Sequence, residues 1–443
     1  MSTDGCKELP EQIVRHARGG ETMVKATDVF TPNKVPTITY VQRDEKAEQK
    51  TRDAFEIPNI IVSLSGPSKS GKTVLVNKVV ERDHLITVSG ASIRQNDDLW
   101  NKILGWMDVP FVDSKSSSKK VGAKVDGSAT AEAGVIIAKA KAEASAGISG
   151  ELATTTTSKF VSNPLDQVAA EIANSAFVVF VDDFHYIPKE IQVEIGRQMK
   201  FAAEKGVRIC TASVPHRSDD VVRSNPELRG RVQAINLQFW NDDELRKIAE
   251  TGFEALNMDI APVVLKKLIA EAFGSPQLMQ TICLNVCLEK SVKETLPEYV
   301  RVDVSEADLH SILERTSNFM DFVSLVEALH SGPKQRGNER KQFVFDDGST
   351  GDVYRAVLLA IADDPPRLSI TYDEMLRRVR KIIPEGEGPV GSSVAQALVQ
   401  MGSIAENIQP NYSVIEWDEN VLDIVDPYFL FFLRSAPILD DVA

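Results

Sequence analysis

The chain has 443 residues, enough for two or three domains each with its own core, and with 43% hydrophobic and 26% charged residues it has an ordinary soluble composition. A formal net charge of −14 excludes a surface built throughout to coat nucleic acid, because phosphate binding needs clustered Lys and Arg; a local basic patch stays open. No basic region followed by an apolar stretch opens the chain and no run of about 18 apolar residues occurs, so a cytoplasmic chain without secretion signal or helical membrane span is expected. Cys6, Cys210, Cys283 and Cys287 are too few and scattered for a disulfide framework. Cys283 and Cys287 share a helix face but lack two further nearby ligands, so buried thiols in a reducing compartment are expected.

After an N-terminal segment, residues 1–50, a first domain is expected over 51–238. Its opening apolar run, NIIVSL, leads into Gly66, Pro67, Ser68, Lys69, Ser70, Gly71, Lys72 and Thr73, which read G-x-x-x-x-G-K-T, and Val74 begins a stretch with helical spacing. The glycines let backbone N–H groups curl around phosphate oxygens. Lys72 reaches the β and γ phosphates, and Thr73 holds Mg²⁺ at a helix N-terminus. A mere strand-to-helix turn has no need of Lys-Thr after its second glycine.

LITVSG (85–90) is the next expected strand, and FVVFVDDF (177–184) another, apolar on both faces as a central parallel strand must be. Asp182 is the candidate metal-side carboxylate, and Asp183 the candidate for polarising an attacking water. The plain alternative is a pair of acids capping the next segment. GVRICTAS (206–213) ends in Thr211 and Ser213, either of which could sense a γ-phosphate, and RVQAINL (231–237) completes the set. Strands at helix-length intervals imply a parallel sheet covered on both faces.

Roughly 110 positions separate Lys72 from Asp182, more than a small core needs between such motifs. The excess lies at 113–160, where Ala123, Val125, Gly127, Ala129, Ala131 and Ala133 alternate with polar residues. Period two suggests a long β-hairpin, with an Ala/Lys/Glu-rich helix as rival, interrupted by Gly127, Gly134, Gly147 and Gly150. One small apolar face cannot build a core alone. A surface loop, an assembly surface toward copies or another subunit, and a barrel strand in a membrane all stay open, the last weakened by alanine's poor fit to lipid.

A helical segment, 239–340, opens at WNDDELRKIAETGFEAL with Asn241 or Asp242 as cap and continues through FGSPQLMQ. Beyond the linker SGPKQRGNERK, residues 341–443 read helix, short strand, helix, helix and two strands, the order of a winged helix. Its expected recognition helix, 392–407, offers Ser392, Ser393, Gln396 and Gln400 but no Lys or Arg. Arg377, Arg378, Arg380 and Lys381 on the preceding helix either touch a DNA backbone or form a solvated face. DPYFLFFLRSAPIL is too short to span a bilayer and is expected to pack this module onto the helical segment.

Together these motifs resemble the AAA+ and STAND P-loop ATPases in their origin-recognition-like layout, over roughly residues 36 to 435 without the excursion. The resemblance implies an α/β fold: a P-loop parallel-sheet ATPase core with a helical lid, then an α+β winged helix. It implies ATP with Mg²⁺ as ligand. Arg229 and Arg231 stand where such proteins place an arginine finger, with Arg223 a weaker candidate and helix-terminal cations the plain alternative. Tyr40 and Val41 match the segment that lies against adenine. Gly274 and Pro276 look like the G-x-P of STAND switches, whose proline packs near the nucleotide. No sensor Arg follows the glycine, and Asp182-Asp183 replaces Asp-Glu; both departures favour slow hydrolysis and a switch over a motor. The function implied is an ATP-dependent homo-oligomeric switch that gates a protein effector, with antiviral defence the role of prokaryotic relatives. A DNA-associated loader using the winged helix is the alternative, disfavoured by the acidic balance; membrane partners are not expected.

Overall fold

Five strands build one parallel sheet: β1 (Ile61–Ser65), β2 (Leu85–Ser89), β3 (Val178–Asp182), β4 (Arg208–Ser213) and β5 (Val232–Asn236), in the order β2-β3-β4-β1-β5. The computed structural model describes residues 23–43, 46–109, 163–214, 228, 230–334, 340–384, 386–409, 414–418, 420–436 and 438–441. The excursion at 113–160, Arg223 and Arg229 lie outside the described residues. The chain divides into two compact units, one of Arg43–Pro67 and Lys72–Gln238, the other of Met1–Gln42, Ser68–Gly71 and Phe239–Ala443.

In the first unit the sheet is covered on both sides, which is why β1, β3 and β4 are buried along nearly their whole length, while the edge strand β5 is mostly exposed. Val62, Leu64, Phe180, Cys210 and Ala212 form one face with Ala47 and Ala54 of α1 (Ala47–Phe55) and Leu75 and Val76 of α2 (Lys72–Val79). Ile61, Val179, Val181 and Ile209 form the other with α3 (Asp98–Trp106), α4 (Pro164–Ile172) and α5 (Lys189–Glu204). Asn163 caps α4 by accepting from the Leu165 N–H, with Pro164 at the first helical position. The register pairs Ser65 with Ser213 and Ser89 with Asp182, so the carboxyl ends of the inner strands finish level.

The second unit is mostly helical. Asn241 and Glu244 make a reciprocal capping box at α6 (Asp242–Ala255), followed by α7 (Pro262–Ala270), α8 (Pro276–Glu289), α9 (Glu306–Ser317) and α10 (Val323–Ser331). A short parallel pair joins Met258–Ile260 to Val300–Val302. Then come α11 (Val353–Ala362), α12 (Tyr372–Lys381) and α13 (Gly391–Ile408), with an antiparallel sheet of Ser369–Thr371, Val421–Ile424 and Ile415–Asp418 in that order: a winged helix. The apolar DPYFLFFLR stretch forms α14 (Pro427–Ser435). Its Phe429 meets Phe322 edge-on at 5.6 Å, and Arg434 forks onto Glu271 at 2.9 and 3.2 Å, so it packs this module on the preceding helices. Cys210 on β4 and Cys283 and Cys287 on α8 are buried free thiols. Among the described residues no helix is long and apolar enough to cross a membrane.

Candidate nucleotide site

The end of β1 turns through the glycine-rich loop into α2, and the Gly66 N–H donates to the Ser213 carbonyl at 3.2 Å. Gly71 has φ +91°, a conformation that a Cβ would oppose. Lys72 is 7% exposed, and its Nζ donates to the carbonyls of Gly66 and Pro67, each at 2.8 Å. The ammonium is thus held over its own loop. These two carbonyls offset part of the cost of burying the ammonium.

Thr73 donates its hydroxyl to Asp182 Oδ2 at 2.7 Å, while Asp182 Oδ1 accepts the Asp183 N–H at 3.0 Å. Both carboxylate oxygens are therefore oriented. Asp183 sits in the left-handed region, φ 52° and ψ 48°, where the chain leaves β3 for a turn at Phe184–Tyr186 without a side-chain cap from Asp183. The turn is made possible by Gly90: a Cβ there would lie 2.3 Å from the Asp183 carbonyl oxygen. Its signal in the sequence is a glycine closing the run LITVS, but its partner lies far along the chain.

The donor set fits the expected ligands. A hydroxyl and a carboxylate oxygen already in contact are hard ligands suited to Mg²⁺, and the loop presents the Lys72 cation for phosphate. Burial, then the Asp182 charge, pushes the Cys210 thiol well above its ordinary range, so that neighbour stays neutral.

Lys72, Thr73, Asp182 and Asp183 come together in the sheet unit. Thr211 is buried in β4 between Ser63 and Val181, two residues short of the strand end, whereas Ser213 stands level with the loop. Arg231 accepts the Ile61 N–H on its carbonyl at 2.8 Å and pairs its guanidinium with Glu204 at 2.5 Å. Pro67 lends a carbonyl to Lys72, and Val74 lies half-buried on α2.

Other expected positions belong to the helical unit. Val41 packs on its core and Tyr40 is half-buried. The preceding Thr39 is fixed by donating to the Val29 carbonyl at 2.9 Å and accepting from Gln280 at 2.7 Å. Pro276 starts α8 behind the cap Ser275. Ser68 is half-buried, Ser70 is buried, and Lys69 points its Nζ at the Tyr428 ring, 5.9 Å from the centroid. The Ser70 carbonyl accepts from the Trp240 indole at 2.9 Å, a contact spanning 170 residues that no local pattern announces.

On the winged helix Arg377, Arg380 and Lys381 are exposed on α12, and α13 carries no cation. On α13 the exposed side carries Ser392, Gln396, Val399, Ser403 and Glu406, and Gln400 accepts from the Tyr354 hydroxyl. Arg378 is 3% exposed and donates to Glu374 and to the carbonyls of Ala360, Asp363 and Pro365. It is therefore no part of a solvated face or a DNA contact. Lys381 is paired with both oxygens of Asp363.

No protein-family model matches the chain, and no curated protein matches it. Among solved structures it is similar to a Walker-type ATPase of Pyrococcus abyssi, with 14% identity over 89% of this chain and 96% of that one and a TM-score of 0.48. It is also similar to the Aeropyrum pernix ORC2 protein in ADPNP–ADP complexes, with 11% identity over 94% and 98% of the two chains and a TM-score of 0.47. A STAND protein with a tetratricopeptide repeat sensor from Pyrococcus horikoshii is 14% identical over 89% of this chain and 42% of its own, at a TM-score of 0.34. By its own parallel strand order, its loop between β1 and α2 and the acid ending β3, the chain has a P-loop parallel-sheet fold, with a C-terminal winged helix.

Proposed function

We propose that the chain is an ATP-dependent, homo-oligomerising molecular switch that hydrolyses ATP slowly and gates a protein effector, in the antiviral setting its family resemblance implies. The observation that carries this reading is the preformed cluster of Lys72 on its loop carbonyls and Thr73 on Asp182. In this reading Gly66 to Val74 bind the phosphates, Thr73 and Asp182 hold Mg²⁺, and Asp183 polarises water. Bound Mg²⁺ supplies charge neutralisation on the phosphates. Tyr40 and Val41 face the adenine, Pro276 packs near the nucleotide, Thr211 or Ser213 senses the γ-phosphate, and Arg229 or Arg231 serves a neighbouring subunit.

The cation-free exposed side of α13 and the burial of Arg378 support a protein-contacting winged helix over a duplex-reading one, with Arg377, Arg380 and Lys381 left exposed on α12. The test is particle mass by light scattering with ADP, then with a non-hydrolysable ATP analogue and Mg²⁺. A defined multimer formed only with the analogue, and lost in Arg229→Ala or Arg231→Ala, is expected. An unchanged monomer in both states overturns the shared-site switch, and salt-sensitive duplex binding would turn the reading toward a DNA loader.

A further inference from the structure

Trp240 makes two hydrogen bonds inside the unit that contains Ser68–Gly71 and Phe239–Ala443. Its indole N–H donates to the Ser70 carbonyl at 2.9 Å, and its backbone N–H donates to the Gly274 carbonyl at 3.0 Å. The peptide between Ser70 and Gly71 is planar and trans, so its C=O and N–H point opposite ways. Fixing that carbonyl on the indole therefore fixes the Gly71 N–H, aimed away from Trp240.

Trp240 is itself held. Its ring packs on the unit's core, and the Asn241 cap of α6 follows it directly. Gly274 has φ +71°, and a Cβ there would stand 2.8 Å from Phe239 Cβ and 3.1 Å from the Trp240 carbonyl oxygen. Phe239 Cβ thus lies against Gly274 at a distance only glycine allows, with the Trp240 carbonyl close beside it. This gives a chain of rigid contacts from Ser275, the cap of α8, through Gly274 and Trp240 to the Ser70–Gly71 peptide.

We infer that Trp240 is a positioning residue for the phosphate loop: its indole N–H turns the Ser70–Gly71 peptide so that the Gly71 N–H meets the phosphates of a bound nucleoside di- or triphosphate. The inference rests on the nucleotide-binding reading above. An amide aimed at an anionic oxygen makes a charge-assisted hydrogen bond, and one that must first rotate into place loses part of that gain.

The test titrates a fluorescent ADP with Mg²⁺ into the full chain, with magnesium pyrophosphate as competitor. Trp240→Phe keeps a ring and removes the donor, and is expected to weaken both ligands by about tenfold, the scale of one such hydrogen bond, with its thermal midpoint checked in parallel. Pyrophosphate has no base or sugar, so an equal loss for it locates the defect at the phosphates. Unchanged affinities in Trp240→Phe, with binding lost in Lys72→Ala, overturn the inference and leave the nucleotide reading standing. Native chain that binds no nucleotide, or Lys72→Ala that binds like the native chain, overturns both. A second measurement needs no variant: the Trp240 indole N–H is expected to resist hydrogen exchange with and without MgADP, and exchange at the solvent rate in both states overturns the inference.

Discussion

The phosphate loop and the winged helix each bury a cation on backbone carbonyls, and they put it to opposite uses. Lys72 takes both carbonyls from its own loop, five and six residues away, through a single mobile ammonium. Arg378 spreads a rigid fork over Ala360, Asp363 and Pro365 and keeps Glu374 besides. A point charge on local acceptors can turn to a phosphate at small cost; a fork tied to three places in the chain cannot leave. In the proposed reading, that rotational freedom is what lets a buried Lys72 serve a ligand while Arg378 serves the fold.

The largest effect is expected from Arg378→Ala, which strands buried carbonyls: a loss of about 3 kcal/mol in urea unfolding, with nucleotide affinity unchanged within about twofold. A stable Arg378→Ala would erase the distinction. Lys72→Ala is the mirror case, with nucleotide affinity down by about a hundredfold in equilibrium titration while the unfolding midpoint hardly moves. Gly274→Ala should fall between them and move both readouts, costing about 2 kcal/mol through its positive φ and its contact with Phe239 and weakening nucleotide as the support of Trp240 shifts.

The smallest effect concerns a cation held by a titrating partner. The Lys290 ammonium, then the Ser305 hydroxyl and backbone N–H, hold the Asp308 carboxyl down at about 2. Its folded value lies below the unfolded one of about 4, so its contribution is complete above that value and is lost as pH falls through the folded value. Asp308→Asn should flatten the acid dependence of the unfolding midpoint below pH ~4.

The parallel sheet was legible because β1 and β3 are buried on both faces, and a strand apolar on both faces followed by G-x-x-x-x-G-K-T has few other folds. Arg378 reads as one of a basic run, yet helical spacing puts it on the face of Met375 and Val379, the buried side of α12. That signal was present and needed only the period to be applied to a charged residue. Trp240 and Gly90 were not legible: their partners, Ser70 and Asp183, stand far away in sequence, and a single aromatic or glycine carries no periodicity to point there.

The buried thiols have a further use as clocks. Cys210 lies in the sheet unit and Cys283 and Cys287 in the helical one, and burial pushes the Cys287 thiol up to about 12, so none reacts as a thiolate while its unit stays closed. With Cys6 replaced by serine, the rate at which a thiol reagent labels each site counts the openings of its own unit. One time course read by peptide mass then separates the breathing of the two halves, without any probe being added to the chain.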